Sequence, residues 1–195
     1  MLAAPADDVQ FCRDCLADMP LIDWPTCPRC AAMIPMADGV RLNCNHCRDA
    51  KLHFARAIVL GSYDGLLRQL VMRMKTDRSE RLARQLSELA WRELQPRLES
   101  LQVNVVTAVP MHAWRRWRRG TNPPHTIAEK LAQKLGVPLA GGMLRLRRNV
   151  PPQIGLSRPA RFRNVHNEMT LRAGYYLDRK PQSPRCVTSR HRATV

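Results

Sequence analysis

Six of the seven cysteines fall within the first fifty residues as three C-x2-C pairs, Cys12/Cys15, Cys27/Cys30 and Cys44/Cys47. A C-x2-C turn aims two thiolates at one ion, and two such turns complete a tetrahedron, so the chemistry on offer is metal binding with zinc as the default. We expect Cys27, Cys30, Cys44 and Cys47 to form the site, with Cys27-Pro28-Arg29-Cys30 and Cys44-Asn45-His46-Cys47 as the two knuckles of a zinc ribbon. Four thiolates leave no position open to substrate, so the ion is structural. It contributes about 10–16 kcal/mol of apparent folding energy in small zinc peptides. Cys12 and Cys15 extend the metal-ligand candidates. Six cysteines do not fill two four-cysteine sites, so this pair is either spare or joined by His46 or His53. Cys186 stands in an unpatterned tail. Disulfides are the competing use, but a reduced cytoplasmic chain favours metal.

A second kind of chemistry is suggested by charge. The net charge of +16 is uneven: residues 1–110 hold 14 Lys/Arg against 13 Asp/Glu, and residues 111–195 hold 18 against 3. A basic half attracts phosphates, on nucleic acid or on a small molecule. Within it Arg118, Arg119 and Gly120 can present guanidinium forks and free backbone N–H groups to a pyrophosphate. Asn122 either contacts that ligand or caps a helix opening at Pro123 and Pro124. Arg161 and Asn164, a helical turn apart, either contact ligand or tie down their own backbone. Trp114 and Trp117, among Arg115, Arg116, Arg118 and Arg119, could stack on bases, but we expect them to cover the core.

The elements that must position these groups are legible by periodicity. Residues 1–52 form a cysteine-rich unit. Beyond it, Ala57-Ile58-Val59-Leu60 reads as a buried strand, and Leu66, Leu67, Leu70, Val71 and Met74 recur at helical spacing. A helix over about 79–96 carries Leu82, Leu86, Leu89 and Leu94 on one face. Val103 to Val109 suits a strand buried on both sides of a parallel sheet. Ile127, Leu131 and Leu135 mark a further helix that Gly136 caps and Pro138 stops. This order describes an α/β domain over residues 53–178, with ligands at the loops beyond the strands' carboxyl ends. Residues 179–195 are basic, lack acids and read as disordered. No apolar run reaches the roughly 18 residues of a membrane span, and the first twenty residues lack a leader's profile.

Taken in order, these segments resemble the competence protein F (ComF) family, over roughly residues 10–178. The carriers are the C-x2-C ladder, the segment from Tyr63-Asp64-Gly65 to Lys75, Val109-Pro110 followed by Arg118-Arg119-Gly120-Thr121-Asn122, Gln153-Ile154-Gly155-Leu156-Ser157, and Arg161-Phe162-Arg163-Asn164-Val165. The resemblance implies a double zinc ribbon before a type I phosphoribosyltransferase-like parallel-sheet domain, and a link to competence and use of incoming DNA. It implies, in a complete homologue, phosphoribosyl pyrophosphate or a related phosphate ligand, with Arg118, Arg119, Gly120, Asn122, Gln153 and Arg161 as the phosphate and pyrophosphate residues.

Three departures qualify what it implies. The family's double ribbon opens with a further C-x2-C, which would leave Cys12 and Cys15 without partners here. Thr121 and Pro123 replace the usual Phe and Gln around the loop. The family's signature loop, Asp-Asp-Val-x-Thr-Thr-Gly, should follow Tyr175-Tyr176-Leu177-Asp178 and is not spelled there. That loop would hold the 5-phosphate in a backbone nest and place Mg²⁺, so Mg²⁺ is expected only with it. Back-translated and read one base earlier, Cys186 to Arg192 permits (Cys or Arg)-Asp-Val-Thr-Thr-Ser-Gly, which suggests a frameshift in the tail. The expectation is a truncated phosphoribosyltransferase homologue, inactive as the chain stands. The competing reading is a non-catalytic zinc-ribbon protein that binds nucleic acid, single-stranded DNA among its partners.

Overall fold

The computed structural model describes residues 11–34, 36–37, 40–41, 44–76, 78, 80–177 and 186–188. It is a mixed helical and small-sheet architecture. Six helices are described: α1 (Arg13–Ala17), α2 (Gly65–Thr76), α3 (Arg81–Glu99), α4 (Ala113–Arg119), α5 (Pro123–Leu135) and α6 (Arg158–Val165). Three antiparallel strand pairs accompany them, β1 (Met36–Ala37) with β2 (Val40–Arg41), β3 (Leu144–Leu146) with β4 (Met169–Leu171), and β5 (Tyr175–Leu177) with β6 (Cys186–Thr188).

The helical core follows from the leucine spacing. Leu82, Leu86, Leu89 and Leu94 of α3 are all buried, and Leu67 and Met74 of α2 pack in one cluster with the first three. Against α3 lies α5, whose buried positions facing inward are small, Ala128 and Ala132, so the two backbones approach closely. Lys134 bridges to Glu88 at 2.9 Å along that seam. Gly136 ends α5 in a left-handed conformation, φ 66°, which a residue without Cβ adopts freely. Met19, with the half-buried Phe11, Leu16 and Leu21, packs into this core from the amino-terminal side.

The expected parallel sheet is reduced to a single parallel bridge among the described residues. Val106 donates to Pro138 O at 3.0 Å and accepts from Ala140 N–H at 2.8 Å, giving the bridge Val106 to Leu139. Val109, expected inside, is 64% exposed. The 57–60 run is half-buried and does not form a strand. Its backbone instead ties the amino-terminal segment to the body: Ala57 donates to Arg29 O, Ile22 to Leu60 O, and Ser62 to Pro20 O. An apolar run of four satisfies its polar backbone with whichever partner lies nearest, and here that partner is the irregular chain around residues 20–29. Cys186–Thr188, inside the tail expected to be disordered, pairs with Tyr175–Leu177; the rest of 178–195 lies outside the described residues.

Candidate functional site

The cysteine ribbon is assembled by two turns and a hairpin. Cys27 N–H donates to Ala32 O at 2.8 Å and Ala31 N–H to Cys27 O at 2.9 Å, closing the first knuckle. The β1–β2 hairpin carries the chain to the second knuckle at Cys44 to Cys47. Cys27, Ile34 and Cys47 are buried together, with Cys30, Cys44, Ala50 and Leu52 packed around them.

All four sulfurs lie within 4.8 Å of one another. Cys27 Sγ is 3.6 Å from Cys47 Sγ, and Cys30 Sγ is 3.6 Å from Cys44 Sγ. Sulfurs bound at about 2.3 Å to a tetrahedral ion sit about 3.8 Å apart, so this donor set fits an ion such as zinc. Electrostatics prepares the set unevenly. N–H groups of Cys30 and Arg29 directed at Cys27 lower its thiol to about 6. Burial, then the neighbouring thiols, pushes Cys47 up to about 12. A cation among them removes that conflict by favouring every thiolate at once.

Cys12 and Cys15 are not part of this cluster among the described residues. Cys12 precedes α1 as its cap, and its sulfur accepts from Cys15 N–H at 3.4 Å. That bond holds the Cys12 thiol below its usual value, and the hydrogen bond with the Cys12 side chain raises Cys15.

A second constellation lies beyond Val106. A cavity of about 260 Å³ is bordered by the 108–111 loop, Asn122, the Gly141-Gly142 corner and three arginines, Arg116, Arg145 and Arg172. These arginines come from α4, β3 and the residue after β4, and the β3–β4 register brings the last two to one edge. No acidic residue borders the cavity among the described residues. Asn122 Oδ1 is buried and has no hydrogen-bond partner. The chemistry on offer is anion binding by guanidinium forks, with one amide able to orient a ligand group. Magnesium is usually held through one or two carboxylates, so the donor set among the described residues, three guanidinium groups and an amide, does not fit it.

Of the phosphate residues expected from sequence, only Asn122 borders this cavity. Asn122 also occupies the cap position of α5, where its carbonyl and not its side chain accepts from Thr126 N–H at 3.1 Å. Gly120 ends α4 at φ 77°. Arg118 lies over the Trp114 ring at 5.5 Å, and Arg119 is half-buried beside the same cap. Arg161 Nε donates to Leu156 O at 3.0 Å and Asn164 Nδ2 to Pro151 O at 3.1 Å, so both brace their own segment. Gln153 accepts from Leu156 N–H through its carbonyl within that segment. Arg145 and Arg172 were not singled out by sequence, and Arg116 was noted only as a neighbour of the tryptophans, because their separation along the chain has no periodicity; the alternation Leu144-Arg145-Leu146 was the one available signal.

Trp114 and Trp117 do not cover the core. They are 50% and 82% exposed, because α4 buries none of its residues. No helix among the described residues is long and apolar enough to cross a membrane.

No family model matches the chain, and no solved structure matches it. Among curated proteins it is 23% identical over 151 residues to "Competence protein F" of Haemophilus influenzae, covering 76% of this chain and 65% of that protein. It is 26% identical over 185 residues to "DNA utilization protein YhgH" of Salmonella typhimurium, and 25% identical over 185 residues to the Salmonella typhi protein of the same description. Those two alignments cover 88% of this chain and 80% of each relative. The chain thus spans just under two thirds of the Haemophilus relative's length. Its homologues, at modest identity over most of its length, are the competence protein F and YhgH proteins of the ComF family.

Proposed function

We propose that this chain serves DNA utilization of the competence kind, and that its body is a phosphoribosyltransferase-like α/β unit (53–178) which binds a phosphorylated ligand. The observation that carries this is the arginine cavity: Arg116, Arg145 and Arg172 converge with no acidic residue at its border among the described residues, beside the unsatisfied Asn122 Oδ1. The descriptions of the Haemophilus and Salmonella relatives supply the competence and DNA-utilization context. The parallel bridge at Val106, followed by the ligand-bearing loop, supports the α/β reading, since phosphate sites sit beyond a strand's carboxyl end. Phosphoribosyl pyrophosphate is the ligand we assign. Its phosphates meet the guanidinium groups, and a ribose hydroxyl can donate to Asn122 Oδ1.

The cysteine set holds zinc as a structural ion, and the ribbon acts as a docking element. We read the chain as a binder without turnover. The sequence contains no adjacent acidic pair leading into Thr-Thr-Gly, and among the described residues those lining the cavity offer no general acid or nucleophile. A second reading, a non-catalytic protein that grips nucleic acid, is favoured by the excess of 18 basic over 3 acidic residues in 111–195.

Titration calorimetry with phosphoribosyl pyrophosphate tests the main reading. Saturable binding is expected, weakened at least tenfold in Arg145→Ala/Arg172→Ala, about 1.4 kcal/mol or more. Undiminished binding by that variant, or no binding by the parent chain, overturns it.

A further inference from the structure

α4 is a helix of unusual composition for its surroundings. Its seven residues, Ala113-Trp114-Arg115-Arg116-Trp117-Arg118-Arg119, include two tryptophans and four arginines, and none is buried. It is held from its ends and one side. His112 Nδ1 accepts from Trp114 N–H at 3.3 Å, Gly120 closes the last turn, and the Arg115 guanidinium donates to Val150 O. Arg116 turns toward the arginine cavity. What remains is a face made of Trp114, Trp117 and Arg118, the last with its guanidinium carbon over the ring of the first, 5.5 Å from its centre. Large aromatic side chains left in water forfeit the burial that normally retains them, so such a face implies something that covers it.

Charge selects the occupant. Four guanidinium groups and no carboxylate on the helix call for a polyanion. Two exposed rings call for planar apolar groups that are free to stack. Trp114 and Trp117 are three residues apart, an axial offset of about 4.5 Å, within the reach of successive bases in an extended strand. Bases in a duplex are already stacked and present only their edges, whereas an unpaired strand offers both its phosphates and its ring faces.

From this we infer that the exposed face of α4 is a stacking platform for single-stranded nucleic acid. Trp117 takes a base on its ring, Trp114 takes a second, and Arg118, lying over the edge of that site, holds a phosphate together with neighbouring guanidinium groups. The inference rests on the nucleic-acid reading above and specifies its strand, element and residues. Arg116, on the same helix, links the platform to the arginine cavity.

The test uses the full metal-loaded chain and fluorescence anisotropy of a labelled thymidine oligonucleotide of about fifteen residues, long enough for one site. The parent chain should bind it. Trp117→Ala should weaken binding roughly 5- to 150-fold, as loss of one stacked base predicts, while Trp117→Phe retains most of it. Because Trp117 is 82% exposed, its removal should leave the circular dichroism spectrum unchanged. Arg118→Gln should lower the slope of log affinity against log salt by about 0.7, the loss of one single-strand phosphate contact.

If the parent chain does not bind the oligonucleotide even at low salt, the nucleic-acid reading and the platform both fall. If it binds and Trp117→Ala binds equally well, the platform alone falls. Equal weakening for a duplex of the same length also overturns it, since a duplex offers no free ring face. So does capture by anionic vesicles without oligonucleotide binding.

Discussion

Gly141 passes so close to His125 that a Cβ on residue 141 would lie 2.3 Å from the imidazole Cε1 and 2.8 Å from its Nδ1. His125 stands in the first turns of α5, and Gly141 forms a corner of the arginine cavity, so this contact fixes how far α5 sits from the 141–142 corner. Gly141→Ala should force the ring or the corner to move and cost about 1–3 kcal/mol, the usual scale of overpacking. Denaturant unfolding of Gly141→Ala, His125→Ala and the double variant checks this. Removing the ring should recover most of the loss, and strictly additive effects would show that the contact is not its cause.

Metal retention should depend steeply on pH. Cys47, pushed to about 12, is protonated at neutral pH, so an incoming ion must displace that proton. Cys27, lowered to about 6, is already a thiolate at pH 7 and yields no proton there. Below about pH 6 its proton must be displaced as well. Affinity therefore falls as pH falls, and falls more steeply below 6 than above it. Competition with a chromogenic zinc chelator from pH 5 to pH 8, at fixed buffer and salt, reads the slope directly. A slope that does not steepen through 6 would contradict the role given to the N–H groups of Cys30 and Arg29.

The helices α2, α3 and α5 and the four-cysteine cluster were legible because each is encoded locally. Leu82, Leu86, Leu89 and Leu94 recur on one face of a single segment, and all four are buried. Cys27 with Cys30, and Cys44 with Cys47, each need only a turn to aim at one point, and their sulfurs converge. The sheet and the anion site depend on long-range placement. Residues 57–60 have a strand's composition, but the chain around Pro20 and Arg29 reaches their backbone first. Arg116, Arg145 and Arg172 meet only after β3 and β4 pair. Arg118 and Arg119 attracted attention as the basic pair beside Gly120, yet the α4 position that faces the cavity is Arg116. The tryptophans were assigned to the core by apolarity alone. Apolarity does not reveal whether a neighbouring element exists to cover them.

The two cysteines outside the metal cluster should differ in reactivity. Cys12 is exposed, and the N–H of Cys15 stabilises its thiolate, while Cys15 is half-buried and its own thiol is raised beside Cys12. Thiolates are the reactive form, so substoichiometric iodoacetamide at pH 7 should label Cys12 ahead of Cys15 in the metal-loaded chain. Peptide mass spectrometry reads the ratio. Cys12→Ser should lower the thiol value of Cys15 and speed its labelling, since the largest cause of its shift is removed. Equal labelling of the two in the parent chain would contradict the capping geometry.

Ala31 offers a test of strain at the metal knuckle itself. Its φ of 59° lies in the left-handed region, held there because its N–H donates to Cys27 O while Ala32 O receives Cys27 N–H. An L-residue in that conformation costs about 1–2 kcal/mol. Glycine avoids the cost but loses about 0.5–1 kcal/mol through the greater freedom of the unfolded chain. Ala31→Gly should therefore stabilise the ribbon by about 0.5–1 kcal/mol, tightening zinc binding roughly two- to fivefold. Ala31→Val, with a branched side chain that tolerates the left-handed region poorly, should weaken it. Chelator competition on both variants decides the matter through opposite signs. If both variants weaken binding, Ala31 contributes through its packing and not through the strain of its backbone.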